Sequence, residues 1–157
     1  MKRVLSIQDI SFICKCSLTV ALPIISAMGI ETSILPTSIL STHTMFNDFT
    51  FRDLTDDMEP IKKHWQKEGF SFDAIYTGYL GSEKQITLVK DYFKTFGNTC
   101  KYIIVDPAMA DNGKLYSGFD KDFPLKMAKL CKYADVILPN ISEAAFMTGM
   151  PYPGENA

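Results

Sequence analysis

The sequence predicts an α/β protein: a mostly parallel central sheet held between helices in three layers. Three observations carry this. Short β-branched runs alternate with amphipathic stretches along the whole chain, the order expected of strand–helix–strand units. The runs Ile103-Ile104-Val105 and Val136-Ile137-Leu138 contain no polar residue, as suits parallel strands covered on both faces. No repeat or low-complexity segment interrupts the alternation, and 157 residues suffice for one domain with a real core.

The elements follow in order. Residues 4–8 read as a first strand without a charge. Ser17 is placed to cap a helix running to Met28, and Gly29 supplies its stop. The apolar run 18–30 follows Lys2 and Arg3, but 13 residues are too few to cross a bilayer and Pro23 lies inside it. It reads as a buried helix, and the protein as cytoplasmic. Residues 32–35 and 39–40 read as two short strands, and 56–68 as a polar helix ending at Gly69. Residues 74–77 form a buried strand. The clearest helix spans 82–96: Ser82 caps it, Ile86, Val89, Phe93 and Phe96 make one stripe, and Gly97 ends it. A strand at 102–105, a helix at 123–132 and a strand at 135–138 follow. Ser142 opens a short helix that Gly149 closes, and the chain ends in a loop from Pro153.

Composition narrows the partners. Sixteen Lys and Arg against 18 Asp and Glu leave a net charge of -2, so there is no footprint for nucleic acid. A small-molecule partner is expected, with no membrane association. Cys14, Cys16, Cys100 and Cys131 do not form a disulfide framework. Cys14-x-Cys16 lacks a second Cys or His pair to complete a metal site, and small buried thiols are the plainer reading.

In open α/β sheets ligands bind outside the carboxyl ends of the strands. The predicted strand exits are crowded with polar groups while the interiors are nearly free of them. Gln8 and Asp9 follow the first strand. Ser41, Thr42, His43 and Thr44 follow Ile39-Leu40. Gly78 and Tyr79 follow residue 77, Asp106 follows Val105 with Asp111 and Asn112 beyond, and Asn140 and Glu143 follow Leu138. Asp106, Asp111, Asn140 and Glu143 are hard oxygen donors suited to Mg²⁺ and phosphate. Asp9, His43, Thr44 and Tyr79 suit hydrogen bonding or stacking on a polar ring. Such a division fits phosphoryl transfer. Each group also has a structural reading: Asp106-Pro107 as a turn, and Asn140 with Ser142 and Glu143 as helix capping. There is no G-x-x-x-x-G-K-[ST] loop and no G-x-G-x-x-G after the first strand, so neither a P-loop kinase nor a Rossmann dehydrogenase is supported.

Val4-Leu5-Ser6-Ile7-Gln8-Asp9, Ser41-Thr42-His43-Thr44, Tyr76-Thr77-Gly78-Tyr79, Asp106-Pro107-x-Met109-x-Asp111-Asn112-Gly113 and Leu138-Pro139-Asn140-x-x-Glu143-Ala144 occur in the order seen in pyridoxal kinases. The chain thus resembles this family of the ribokinase-like superfamily, alongside the hydroxymethylpyrimidine kinases, from Arg3 to about Tyr152. The resemblance implies a ribokinase-like three-layer fold, truncated at its C-terminal side. It implies transfer of phosphate from ATP, with Mg²⁺, to the hydroxymethyl group of pyridoxal, pyridoxine or pyridoxamine. Asp9, His43, Thr44 and Tyr79 would line the substrate site, with Cys16 on its wall. Asp106, Asp111, Asn140 and Glu143 would face the nucleotide phosphates, with Asp111 and Glu143 as Mg²⁺ ligands. The alternatives are a hydroxymethylpyrimidine kinase and a non-catalytic pyridine-binding half-domain.

Departures from the family pattern border the same residues. Cys14 and Met45 stand where the family usually has Gly, Ala108 replaces a Val, and Ala110 replaces a Gly. A glycine lost where φ is positive costs about 1 kcal/mol. The family's Gly-x-Gly-Asp segment, which carries the base and an anion hole, has no match in residues 1–157. The chain is therefore read as a single partial domain with no catalytic base of its own, inactive alone and prone to dimerise or self-associate through uncovered faces.

Overall fold

The computed structural model describes residues 1–154, so residues 155–157 of the expected terminal loop lie outside it. The chain runs β1 (Arg3–Ser11), α1 (Leu18–Ala27), β2 (Glu31–Leu40), β3 (Phe51–Asp53), α2 (Thr55–Lys67), β4 (Ala74–Thr77), α3 (Glu83–Phe96), β5 (Tyr102–Val105), β6 (Ala110–Asp111), β7 (Lys114–Leu115), α4 (Phe123–Cys131), β8 (Val136–Ile137) and α5 (Ile141–Thr148). Six strands form one sheet in the order β3-β2-β1-β4-β5-β8, all parallel except β3. β6 and β7 form a separate antiparallel ribbon.

Connections from β1 step toward β2, while those from β4 step the other way through β5 to β8. Right-handed crossovers then place α1 on one face and α3 and α4 on the other. α2, α3, α4 and α5 pack successively against one another, and α1 packs on β1 and β2. The core lies under the four-helix layer: Leu5, Ile7, Leu35, Ile75 and Val105 from the sheet meet Met58, Ile86, Val89, Tyr92, Phe93, Phe96, Met127 and Leu130 from the helices. The apolar stripe read on α3 is part of it.

The structure corrects several expectations. β1 is longer than read, so Gln8 and Asp9 lie within the strand, not after it. The two short strands before residue 41 are one, β2, which runs through Pro36. Pro36 is tolerated because β3 pairs only with Ser38–Leu40 and because an irregularity in the β1 register falls just beyond it. α1 is not a buried helix. Only Leu18 of it is buried, while Ile24 is 56% exposed, because α1 contacts the sheet alone on its face. Nor is Val136-Ile137-Leu138 covered on both faces: β8 ends the sheet and Ile137 is 46% exposed. Ser17 makes no side-chain cap, and Gly97 continues into a 3₁₀ turn instead of stopping the helix in the left-handed region. β3 and the β6–β7 ribbon were not expected. Asn112 and Gly113, with φ of 50° and 69°, make the tight turn of that ribbon.

Two polar devices lock the layers together. Gln85, fully buried on α3, donates from Nε2 to the Thr37 carbonyl and to Thr55 Oγ1, both at 2.9 Å, and its Oε1 accepts from the Gly81 amide at 2.8 Å. The second is the α5 capping box. Asn140 Oδ1 accepts from the Glu143 amide, and Glu143 Oε2 accepts from the Asn140 amide, both at 2.9 Å. Glu143 Oε1 reaches further, accepting from the Met109 amide at 3.2 Å, while Asn140 Nδ2 donates to the Ala110 carbonyl at 2.8 Å. The start of α5 is thereby tied to the loop after β5.

Gln85→Leu keeps the side-chain volume but leaves the Thr55 hydroxyl and the Gly81 amide without their partner and removes one of the two donors to the Thr37 carbonyl. It should destabilise the fold by about 2–5 kcal/mol, read by urea denaturation. Glu143 supplies a pH test. Burial pushes its carboxyl up to about 7, against the backbone amides that favour the charged form. The folded chain then holds this proton to higher pH than the unfolded chain does. Stability should therefore fall as pH rises from the ordinary carboxylate range through about 7, and level off above it. Asp106, also raised by burial, adds the same sign. Gln at this capping-box position retains an acceptor. Thermal melts of the wild type and Glu143→Gln from pH 5 to about 8 should show the wild type losing ground with rising pH; parallel curves would remove Glu143 as the source.

Candidate functional site

The strand order fixes where a ligand can enter. Connections leave β1 and β4 in opposite directions, so a crevice opens between their carboxyl ends. Two adjoining clefts lie there. The larger, about 520 Å³, is lined by Asp9 of β1, His43 and Thr44 after β2, Tyr79 after β4, and Asp111 and Lys114 of the β6–β7 ribbon. The smaller, about 460 Å³, is lined by Gln8, Tyr76, Gly78 and Asp106 under α1. Lys15, Cys16, Ser17, Tyr79 and Ala108 line both.

Each side chain is held by its local structure. Asp9 is 5% exposed, and its Oδ2 accepts from Ser11 Oγ at 3.2 Å. His43 Nδ1 accepts from the Met45 amide at 3.3 Å, which leaves Nε2 to carry the proton in the neutral ring, and the ring tilts against Phe46. Tyr79 is fixed from two sides. Its carbonyl accepts from Thr37 Oγ1 at 3.1 Å, and its ring packs on Phe119, which stacks on Phe123 of α4 at 3.9 Å. Burial raises the Tyr79 phenol, and the charge of Asp9 adds to the effect, so the hydroxyl stays protonated and able to donate. Gly78 has no room for a side chain: a Cβ there would lie 2.8 Å from Gln8 Oε1.

The oxygen-rich group divides differently. Burial raises Asp106, and the Tyr76 hydroxyl donates to it at 3.5 Å. Asp111 is exposed, one of its oxygens accepting from the Asn112 amide at 2.9 Å. Asn140 and Glu143 line neither cleft and are engaged in the capping box and the loop after β5. Glu143 is 2% exposed, with both carboxylate oxygens on backbone amides. Among the described residues no group of three His, Cys, Asp or Glu side chains is placed to hold a metal ion. These residues therefore do not by themselves make a Mg²⁺ cage.

Sequence reasoning passed over Lys15, Lys114 and Tyr116, all of which line the larger cleft. Asn112-Gly113 is a strong hairpin signal and would have brought Lys114 and Tyr116 back beside Asp111. Burial and the charges of Glu143, Asp111 and Asp106 push the Tyr116 phenol up to about 12. The substituted glycine positions also separate. Cys14 has a φ of 83°, a conformation that favours glycine, and Ser17 three residues on has a φ of 51°. Met45 and Ala110 have no positive φ, so no backbone strain attaches to them.

Residues 31–156 match the family model described as phosphomethylpyrimidine kinase. A Bacteroides thetaiotaomicron protein described as a phosphomethylpyrimidine kinase, solved in a crystal form with pyridoxal, superposes with a TM-score of 0.93 at 44% identity, over 96% of this chain and 53% of that one. The pyridoxal kinase of Lactobacillus plantarum gives 0.90 at 38%, over 97% and 54%. The pyridoxal kinase PdxY of Actinobacillus pleuropneumoniae is 32% identical over 82 residues, 50% of this chain and 28% of that protein. The chain thus spans about half the length of the solved structures it matches. With the family model covering most of its length and the fold superposing over nearly the whole chain, this chain belongs to the phosphomethylpyrimidine kinase family, on the ribokinase-like fold it shares with pyridoxal kinases.

Proposed function

We propose that this chain forms the acceptor-binding part of a kinase that transfers phosphate from ATP to the hydroxymethyl group of pyridoxal, pyridoxine or pyridoxamine. One observation carries the reading: Asp9 near the end of β1, His43 and Thr44 after β2 and Tyr79 after β4 line one cleft at the topological switch point. A flat polar ring fits that cleft. Thr44 and the protonated Tyr79 hydroxyl would orient it, and His43 would lie along one edge. Holding the acceptor oxygen in line is the larger part of what a protein contributes to phosphoryl transfer.

The phosphate side is proposed to run past Lys15, Asp106, Asp111 and Lys114. Lys15 and Lys114 offset the carboxylates that would otherwise repel an approaching nucleotide. Asn140 and Glu143 would act there by holding the loop after β5 in place. When bound, magnesium would supply charge neutralisation to the phosphates. Because Glu143 is occupied by amides, no step is routed through it as a metal ligand. The described residues offer no group that we assign as the base. A hydroxymethylpyrimidine acceptor is the second reading, favoured by the family model.

Calorimetric titration of the chain with pyridoxal and with hydroxymethylpyrimidine tests the acceptor. Pyridoxal should bind more tightly. Thr44→Ala and Tyr79→Ala should each weaken it by about 1 kcal/mol, roughly fivefold, if the hydrogen bonds are desolvated. Unchanged binding in both folded variants would remove the assignment. A coupled assay of ADP release with Mg-ATP and pyridoxal tests the reaction: the chain joined to the second half of a relative should turn over, while the 157-residue chain alone should not.

A further inference from the structure

Asp9 is a buried carboxylate on the wall of the larger cleft, with no cation paired to it among the described residues. It is 5% exposed, yet its one hydrogen bond among the described residues comes from the neutral Ser11 hydroxyl. The cations lining the same cleft, Lys15 and Lys114, are exposed, and neither forms an ion pair with it. Tyr79 feels its charge without a hydrogen bond between them. A buried ionised carboxylate is costly unless it is paired. Here the open side of the group faces the space a ligand would fill.

From this we infer that Asp9 makes the acceptor site charge-selective, taking a ligand that presents a cationic N–H donor and discriminating against neutral rings of the same shape. The inference rests on the acceptor reading of this cleft and names its substrate class more narrowly. Two nitrogens on the proposed acceptors could supply that donor: an ammonium on a side arm, or a protonated ring nitrogen. Either would form a charge-assisted hydrogen bond with the buried Asp9 carboxylate. A hydroxyl in place of the carboxylate would leave recognition to shape and neutral hydrogen bonds. The carboxylate adds a term that depends on ligand charge.

The test uses the 157-residue chain and three probes of closely similar shape: pyridoxamine, pyridoxine, and the benzene-ring analogue of pyridoxine. Dissociation constants are measured by calorimetry for the wild type, Asp9→Asn and Asp9→Ser, with thermal melts to establish folding. Asp9→Asn keeps the acceptor that Ser11 needs, and Asp9→Ser covers the case in which Asn fails to fold. If the arm ammonium is the donor, the wild type should prefer pyridoxamine over pyridoxine by about tenfold or more. If the ring nitrogen is the donor, pyridoxamine and pyridoxine should share that preference over the benzene analogue. In either case the preference should collapse to within about twofold in the Asp9 variants, while affinity for the neutral probe holds or improves. Variants that weaken all three probes equally, or leave the wild-type ratios intact, would overturn the inference and leave the acceptor site standing. A wild type that binds none of the probes would remove the acceptor reading, and this inference with it.

Discussion

The cleft depends on a buried amide that never touches it. Gln85 has three polar positions in use and none facing water. Its partners are the last part of β2, the first residue of α2 and the loop between β4 and α3. Those three pieces are separated in sequence, and apolar contact between them sets distance but not direction, so hydrogen bonds such as those of Gln85 fix how they meet. Thr37 extends the arrangement: its carbonyl accepts from Gln85 while its hydroxyl donates to the Tyr79 carbonyl. The position of the Tyr79 backbone is thus fixed relative to β2, whose continuation carries His43 and Thr44. Two walls of one cleft are referred to the same buried side chain.

Topology decides where the cleft lies, and close packing decides its depth. The reversal of connection direction between β1 and β4 opens a crevice at the carboxyl ends of those two strands, which α1 flanks on one side. Gly78 then lets the chain after β4 lie directly against Gln8. The strained turn at Cys14 and Ser17 closes the other side, bringing Lys15 and Cys16 over both clefts. Non-glycine residues at positive φ persist only where surrounding structure over-determines them. Thr19 supplies part of that restraint, its hydroxyl bridging the Cys14 and Cys16 carbonyls.

Much of this was legible in the sequence because it rests on periodicity and on strand exits. The α3 stripe and the strands at residues 74–77 and 102–105 follow from the spacing of apolar residues, while Asp9 lies inside β1, beyond the strand end that the sequence predicts. What was misread depends on what a segment packs against. Residues 18–30 and 136–138 are apolar enough for full burial, yet each lies where the sheet has cover on only one side or ends. Residues 32–35 and 39–40 read as separate strands, but β2 continues through Pro36, before β3 pairs at Ser38–Leu40. The capping role of Asn140 and Glu143 was weighed as one reading of the motif. Only three-dimensional contacts reveal that Glu143 also ties down the loop after β5.

The carboxylates along this edge are consequently not equivalent, although their residue types suggest a single acidic cluster. Glu143 is consumed in structure, its oxygens on amides and its proton held to about pH 7. Asp106 is half-buried beside Tyr76, and Asp111 stands in solvent at the ribbon turn. Asp9 alone is both deeply buried and open to the larger cleft. On the proposed reading, the buried Asp9 charge on the ring side and the exposed Lys15 and Lys114, partly offset by Asp111, would bias the field across the cleft from acceptor toward phosphates. Such a field favours a cationic ring within and an anionic group at the mouth. On the proposed reading, those are the two charges that an aminated pyridine and a nucleoside triphosphate would bring to the cleft, and reversing either would cost both contacts.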